Sequence, residues 1–554
     1  MNLPKYPKIK SNEVWSPFWG ERGSIITGLD QLGLQDIPEA TFQLMLPGLN
    51  SVTGRIRYYA FYCWMLDIYS KGVGGAYASD GASTDPALQR RFLRSGEFII
   101  ALISQHPDVE LPNIPGSNFA GKQWEEHPLG PFSLEDSIYN AEGKTEKSYW
   151  KHPSGAFGQY YLGSMRDMGL VQLRSEDDKV FVRTENEESA DWISGKELAD
   201  AFDLSIGIEV RDAFIEAIRS GFLEFDKIEL LLNTMRPDQI PHDSVEHDVL
   251  SRLLCQIDDP LVVDDQYYSR YRSETIKLYL VRSVNFSDTN VAFWQQSYRK
   301  FTALAYLDKG RGEMNSSTWF GWYHYMFYEL WQFSNGAMFS AMLRLLVSEW
   351  NGMTRIDIWI DKMTNQVIER LDDSHDISKG KTSLIEVINQ FNHQSEWTFV
   401  EIIKRLSSPQ DDAVAAFSLL FTIINRNHDE LIKLRLFDVE ELYKGQRSGV
   451  NLMILLLEEF GDKPVVEFIS HFLERYILLK HHAVAIRKMR GRSQSSQKFM
   501  FESGWVRFLN PYEPSFMGPR LPNLENFLED LGLINEEGIV MEHSNSWVAK
   551  YLDK

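Results

Sequence analysis

The chain has 554 residues and a net charge of -21, with 43% hydrophobic and 13% aromatic residues. This length is too great for one ordinary domain, because single hydrophobic cores stop growing near about 250 residues. The aromatic content excludes wholesale disorder. Since 78 acidic residues outnumber 57 basic ones, the protein as a whole repels nucleic acid, and any such contact needs a local basic patch.

The two cysteines, Cys63 and Cys255, each lie inside an apolar stretch and are nearly two hundred residues apart. This favours two buried thiols in a reducing compartment over a disulfide framework. The first ten residues lack the apolar core of a signal peptide, and no uncharged run reaches the about 18 to 20 residues of a membrane span. We therefore expect a cytoplasmic protein with no membrane association.

Residues 1–130 predict a helical domain that opens with an irregular, aromatic-rich stretch over residues 11–45. A helix follows from a cap at residues 50–51. Arg55 and Arg57 fall in its first turns, where the helix dipole disfavours cations. Both arginines need an anion, which is either a carboxylate of the fold or a bound phosphate.

Residues 131–205 predict a winged-helix-like module, with the order helix, glycine stop, strand, polar turn, strand. The helix stops at Gly169, and the turn lies at residues 176–178. Four cations of this module are secondary candidates for binding an anion: Arg166, Arg174, Lys179 and Arg183. Neighbouring acidic residues make the module roughly neutral.

Residues 206–490 are dominated by apolar residues at helical spacing and predict one or two large helical domains. The segment 319–347 is apolar on nearly all faces of a helical wheel, which places it at the centre of a core. Ser408 followed by Pro409 predicts a helix start, with a capping residue and then a proline at the first helical position.

Residues 491–554 predict a hairpin and a second winged-helix-like module, because residues 524–534 repeat the helix ending of the first module. Glu525, Glu529 and Asp530 make this second helix anionic, which favours docking or packing over DNA reading. The predicted fold class is therefore mainly α: a multidomain helical protein with two small winged-helix-like α+β modules.

Familiar catalytic motifs are weak in this sequence. The best histidine pair, His242 and His247, points about 140° apart if both lie on one helix. The doublet at residues 428–429 resembles that of metal phosphohydrolases, but no further ligands can be assigned to it. Residues 136–144 match a restriction-type nuclease poorly. The sequence therefore predicts no metal and no cofactor, and it leans against an enzyme.

The strongest functional signal is electrostatic. Residues 480–498, called the basic segment below, hold six cations and no acidic residue, so the rest of the chain carries a net charge of -27. The candidate nucleic-acid contacts are Lys480, Arg487, Lys488, Arg490, Arg492 and Lys498. The segment spans a helix end and a Gly/Ser/Gln loop, and it meets a predicted hairpin over residues 499–508, a setting that suits phosphate contact. The alternative is pairing with an acidic surface of the fold or of a partner.

Three stretches carry a resemblance to known proteins: residues 46–64, 322–329 and 519–532. The first begins Leu-Pro-Gly-Leu-Asn-Ser-Val-Thr-Gly-Arg. Together they resemble large bacterial proteins encoded in multi-gene phage-defence neighbourhoods, beside helicases or ABC-type and SMC-like ATPases, as in the Druantia and three-component ABC systems. The resemblance implies a defence-complex subunit and transfers no catalytic residue.

From these observations we expect a non-catalytic subunit of a bacterial antiphage defence complex. It would engage nucleic acid, with DNA as one candidate, through the basic segment and support a partner ATPase, helicase or nuclease. Two alternatives stay open. One is a cryptic metal-dependent nuclease or phosphohydrolase whose carboxylates converge only in the fold, and the other is a pure protein–protein scaffold.

Overall fold

The structure is a computed structural model. It describes residues 24–25, 30–72, 85–137, 149–175, 179–186, 192–256, 268–311, 317–438, 449–489 and 494–553. Within these residues the chain is mainly helical with small sheets, as predicted. None of the helices in this part of the chain combines the length and the apolar character that crossing a membrane requires.

The helices and strands are numbered in chain order. The α-helices are α1 (Asp36–Met45), α2 (Arg57–Ser70), α3 (Pro86–Ser104), α4 (Ser117–Glu126), α5 (Leu162–Asp167), α6 (Gly195–Ser220), α7 (Phe225–Met235), α8 (Val245–Cys255), α9 (Tyr268–Arg282), α10 (Ser297–Leu307), α11 (Ser317–Trp350), α12 (Ile356–Ser374), α13 (Leu384–Asn389), α14 (Glu396–Lys404), α15 (Pro409–Asn427), α16 (Leu431–Phe437), α17 (Gly449–Phe460), α18 (Val465–Phe472), α19 (Leu479–Met489), α20 (Leu521–Asp530) and α21 (Ser544–Tyr551). The strands are β1 (Ser24–Ile25), β2 (Phe132–Ser133), β3 (Val171–Leu173), β4 (Phe181–Arg183), β5 (Phe222–Leu223), β6 (Met353–Arg355), β7 (Gln494–Ser495), β8 (Phe499–Glu502) and β9 (Trp505–Phe508).

The strands form small sheets. β6, β9 and β8 make a three-stranded antiparallel sheet in that order, and β3 pairs antiparallel with β4. β2 pairs antiparallel with β5, whereas β1 pairs parallel with β7. None of these sheets is large enough to provide a core, so the hydrophobic core is made by helices.

The chain groups by contact into two compact units. Unit 1 contains residues 1–42 and 302–517, and unit 2 contains residues 43–301 and 518–554. Each unit is therefore built from two separate parts of the chain.

Unit 1 is organised around α11, which packs along α15. Nearly every α11 side chain between Thr318 and Leu346 is buried, which confirms the prediction for the segment 319–347. A helix that is apolar on all faces must be covered on all faces. The predicted start of α15 is also confirmed, because the Ser408 hydroxyl accepts a hydrogen bond from the Asp411 N–H at 3.2 Å.

Unit 2 is organised around α2, in which every residue from Arg57 to Tyr69 is buried and which packs on α6. Cys63 and Cys255 are both buried free thiols, as predicted. After α5, Gly169 adopts a φ of 72°, a left-handed conformation that lets the chain turn into β3. The predicted sequence of helix, glycine stop and two strands is therefore present in residues 162–183.

Two sequence-based predictions need correction. Residues 36–45, predicted to be irregular, form α1, whose first turn carries Asp36 and Glu39 at the end that favours acids. After α20, the predicted strand pair is a single bridge between Ile534 and Val540, since the chain turns back within a few residues.

The predicted boundaries at residues 130 and 205 fall within unit 2, and residues 491–554 contribute to both units.

Candidate nucleic-acid interface and surface clefts

Three of the six predicted cations of the basic segment lie on α19. Arg487 is exposed, and Lys480 and Lys488 are half-buried. Arg490 and Arg492 fall outside the described residues. Two of the α19 cations, Arg487 and Lys488, sit in its last turn, where the helix dipole favours positive charge.

Lys488 and Lys498 are held by unit 1 itself. The Lys488 ammonium group donates a hydrogen bond to the backbone carbonyl of Asp30. Lys498 is only 8% exposed, and this burial lowers the pKa of its ammonium group. Among the described cations of the basic segment, Arg487 is therefore the one best placed to meet a phosphate.

His481, near the start of α19, is bonded to the backbone on both sides of its ring. Its Nε2 accepts a hydrogen bond from the Lys498 N–H at 3.0 Å, so its Nδ1 carries the proton and donates to the Gln31 carbonyl at 3.0 Å. Burial lowers the pKa of His481 to about 3, so the imidazole stays neutral. The start of α19 is thus tied to the residue just before β8.

The hairpin predicted after the basic segment is confirmed. β8 and β9 pair antiparallel, with Phe499 opposite Phe508. The two turn residues, Ser503 and Gly504, have φ values of 52° and 85°, and two consecutive positive φ values are typical of a tight hairpin turn.

The anion that Arg55 and Arg57 need is a carboxylate in each case. Arg55 Nη1 lies 2.6 Å from Asp530 Oδ1, and both side chains are buried. Arg57 binds Glu246 through two hydrogen bonds of 2.8 and 2.9 Å, and its remaining nitrogen donates to two backbone carbonyls. Because both guanidinium groups are buried against carboxylates, these arginines stabilise the fold of unit 2 and are not placed to bind phosphate.

The pairing of Arg55 also changes the interpretation of the second module. Asp530, predicted to make α20 anionic, faces Arg55 inside unit 2; burial raises the pKa of its carboxyl group, while the Arg55 charge and the hydrogen bond from the Ile56 N–H oppose that rise. Glu525 accepts a hydrogen bond from the Tyr279 hydroxyl. Two of the three acids of α20 are therefore used in packing.

The four cations of the first module are in different environments. Arg166 and Lys179 are exposed, and Arg174 is half-buried. Arg183 lies 2.9 Å from Asp67 and 2.5 Å from an exposed glutamate two residues further on. Arg183 is thus part of an ion-pair network, whereas Arg166 and Lys179 face solvent.

A group of histidines in unit 2 differs from its prediction. His242 lies before Ser244, the N-cap of α8, so it is not on one helix with His247, and the two rings are 5.7 Å apart. The ring of His543 lies 6.4 Å from that of His242. All three rings line a cleft of about 820 Å³. In the described part of the chain, no three His, Cys, Asp or Glu side chains are arranged to hold a metal ion.

Unit 1 contains a Thr-His-Asp arrangement that the sequence analysis missed. His324 Nδ1 lies 3.1 Å from Thr41 Oγ1, and its Nε2 lies 2.7 Å from Asp438 Oδ1. The order of groups resembles a hydrolase triad, but all three side chains are completely buried, so no substrate reaches the hydroxyl. The three residues are far apart in sequence, and no spacing signal could have revealed them.

The two weak catalytic motifs, residues 428–429 and 136–144, are not part of a metal-binding group in the described residues. His428 and Asp429 are exposed, with Nδ1 and Oδ1 3.7 Å apart. Asp136 lies in the short turn Leu134–Ser137, while residues 138–148 fall outside the described residues. The nuclease-type match at residues 136–144 therefore stays a prediction from sequence that the structure does not test.

Comparison with known proteins gives no match to a family model, a curated protein or a solved structure. Function is therefore inferred from the residues of the chain.

Proposed function

We propose that this protein is a non-catalytic subunit of a bacterial antiphage defence complex that engages nucleic acid through the basic segment. A partner ATPase, helicase or nuclease would supply the chemistry. The observation that carries the proposal is the concentration of six cations without an acid over residues 480–498, in a chain whose remainder carries -27. Such a patch attracts phosphate locally although the whole protein repels it.

The local geometry supports this role for the basic segment. Arg490 and Arg492 follow the C-terminal end of α19 in sequence, where cations are favoured, and the N–H of Lys498 donates a hydrogen bond to His481. Arg487 is exposed at the last turn of the helix.

We assign different roles to the two segments that were predicted as winged-helix-like modules, residues 131–205 and 491–554. The first keeps Arg166 and Lys179 exposed, so it is the better candidate for a second phosphate contact. In the second, two of the three acids of α20, Asp530 and Glu525, are engaged with Arg55 and Tyr279. The second module therefore serves packing within unit 2 and does not read DNA.

The test measures binding of labelled single-stranded and duplex DNA by fluorescence anisotropy over a series of salt concentrations. The most informative variant replaces Arg487, Arg490 and Arg492 by Glu and keeps Lys488 and Lys498, which are held by unit 1. The control for a single charge reversal elsewhere in unit 1 is Arg435→Glu, because Arg435 is an exposed arginine near the end of α16.

We expect the wild type to bind with a log K that falls by about 0.9 per phosphate contact for each unit of log salt on duplex DNA. The triple variant should lose binding, and Arg435→Glu should retain it. No binding by the wild type at low salt, or equal binding by the triple variant, would refute the proposal. Co-purification with neighbouring gene products but without nucleic acid would instead support the alternative that the protein is a pure protein–protein scaffold.

A further inference from the structure

A second cleft in unit 2 has an unusual lining. It has a volume of about 720 Å³ and is bordered by sixteen residues of the described part of the chain, none of which is charged. Since 24% of the chain is charged, sixteen average residues would include about four charged ones. The lining instead contains four asparagines, three aromatic side chains with polar groups, and several small residues. A site of this composition selects a neutral ligand with hydrogen-bonding groups.

The cleft is bordered by four segments, three of which are joined by hydrogen bonds. Asn50 accepts hydrogen bonds from the N–H groups of Val52 and Thr53 at 2.8 Å and donates to the Tyr160 carbonyl at 2.6 Å. Asn523, near the start of α20, donates to the Thr53 carbonyl at 2.7 Å. The 51–54 loop is thereby fixed between the 149–160 wall and α20.

The opposite wall is fixed by close packing. Gly116 has a φ of 81°, and the ring of Tyr149 comes within 2.0 Å of the position that a Cβ there would occupy. The Tyr149 hydroxyl donates to Glu97 at 2.9 Å, and Arg94 donates to the Trp150 carbonyl at 2.9 Å. The cleft is therefore preformed, so a ligand does not have to order its walls.

Two half-buried aromatic rings form a corner of this cleft. The rings of Trp150 and Tyr160 are 5.4 Å apart and nearly perpendicular, with an interplanar angle of 87°. The Trp150 indole N–H donates to Gln159 at 2.8 Å, which fixes the orientation of that ring. One ring can thus stack on a planar ligand while the other contacts its edge.

Asparagine amides border the same space. Asn113 and Asn118 are exposed, and Asn526 is half-buried on α20. An amide offers a donor and an acceptor side by side, the arrangement that pairs with the edge of a nucleobase. Aromatic stacking together with amide contacts to base edges is the usual means of recognising an unstacked base.

From this combination we propose that the cleft bordered by Trp150, Tyr160 and Asn526 binds a nucleobase. Because the described lining residues carry no charge, they favour recognition of the base over recognition of a phosphate. The inference goes beyond the proposed function. It does not depend on the basic segment, which lies in unit 1.

The experiment titrates the full-length protein with adenosine, guanosine, cytidine and uridine, each without a phosphate, by isothermal calorimetry. We expect at least one nucleoside to bind with a dissociation constant of about 0.1 mM, the range expected for a ligand of this size. Trp150→Ala should weaken binding by about 5- to 100-fold, the usual loss for a stacked base. Trp150→Phe should retain most of the affinity.

A second pair of variants tests how much the asparagine amides contribute to nucleoside binding. Asn526→Ala should weaken binding several-fold, whereas Asn545→Ala, an exposed asparagine of α21 outside the cleft, should leave it unchanged. Circular dichroism would verify that each variant is folded. The proposal is overturned if no nucleoside binds, if Trp150→Ala binds as tightly as the wild type, or if N-acetylglucosamine binds in place of the nucleosides.

Discussion

Arg57 lies in the first turn of α2, where the helix dipole disfavours a cation, and its guanidinium group reaches Glu246, a residue 189 positions away. Both side chains are at most 1% exposed. A buried pair of this kind is costly to break, because the partner that remains is a charge without compensation in a medium of low dielectric constant.

We expect Arg57→Met to lower the free energy of unfolding by about 3–5 kcal/mol, since it leaves Glu246 buried and charged. The double variant with Glu246→Leu should lose much less than the sum of the two single variants. Urea unfolding monitored by circular dichroism would measure this coupling. The matched control is Lys196→Met in the exposed Lys196–Asp200 pair, which should cost under about 1 kcal/mol; an equally small effect at Arg57 would contradict the interpretation.

Glu525 provides a test that depends on pH. Burial raises the pKa of its carboxyl group to about 7, from an ordinary value near 4.5, although the Tyr279 hydroxyl donates a hydrogen bond to it. Between pH 4.5 and pH 7, Glu525 keeps its proton in the folded chain and has lost it in the unfolded chain. Stability from this group is therefore present below about pH 4.5 and lost as the pH rises through 7.

We expect the free energy of unfolding of the wild type to fall by about 2 kcal/mol more than that of Glu525→Gln between pH 5 and pH 8. Glutamine imitates the protonated carboxyl group, so it removes this slope. Asp530, whose pKa burial also raises, is unchanged in both proteins, so its contribution cancels in the comparison. If the free energies of unfolding of the wild type and of Glu525→Gln change equally between pH 5 and pH 8, Glu525 is already ionised in the folded state and the prediction is wrong.

At the scale of single residues, the sequence predicts that Arg55 and Arg57 need an anion, but it does not identify the residues that provide it. The helix position of Arg55 and Arg57 is local information, whereas Asp530 and Glu246 reach them only through the tertiary fold. The histidine pair was misjudged for a related reason. A helical-wheel argument places His242 and His247 apart, but Ser244 starts the helix between them, so the wheel does not apply to His242.

At the scale of elements, local signals worked best where a single residue type starts or ends a helix. Ser408 and Pro409 mark the start of α15, and Gly169 ends the helix before β3. The uniformly apolar segment 319–347 was recognisable as a core helix because its pattern leaves no face for water. The strand pair after α20 was not predictable, since the same glycine-terminated helix ends in a single bridge there.

The cap of α15 can be tested against a natural control. The Ser408 hydroxyl accepts a hydrogen bond from the Asp411 N–H, whereas Ser395, the N-cap of α14, makes no such bond through its side chain. We expect Ser408→Ala to destabilise the protein by about 1 kcal/mol and Ser395→Ala to have a much smaller effect. Thermal unfolding of the two variants measured side by side would decide, and equal effects would mean that the cap bond contributes nothing.

At the scale of the whole molecule, linear order and spatial grouping differ. Residues 518–554 belong to unit 2 together with residues 43–301, although about two hundred residues of unit 1 lie between them in sequence. Composition and periodicity describe successive segments, so they predicted four consecutive regions and had no means of joining the two ends of unit 2. The cleft beside Trp150 could not be predicted for the same reason, because its described walls come from residues 51–54, 113–119, 149–160 and 522–526.

This grouping yields a test by deletion. In unit 2, Leu524, Phe527 and Leu528 of α20 are completely buried, and Asp530 compensates the buried charge of Arg55. Removing residues 518–554 would expose the apolar surfaces that these side chains cover and leave Arg55 without its carboxylate. Each lost large apolar side chain costs about 2–5 kcal/mol and the broken ion pair about 3–5 kcal/mol, which together match or exceed the stability of a typical domain.

We therefore expect the 1–517 chain to be insoluble or to lack a cooperative unfolding transition, whereas removal of residues 553–554 alone should leave the protein folded. Size-exclusion chromatography and circular dichroism would distinguish these outcomes. If the 1–517 chain is monodisperse and melts like the full-length protein, residues 518–554 fold as a separate module and do not complete the core of unit 2. Recovery of soluble protein when residues 518–554 are co-expressed as a separate chain would show that the deletion fails because α20 and α21 are missing from that core.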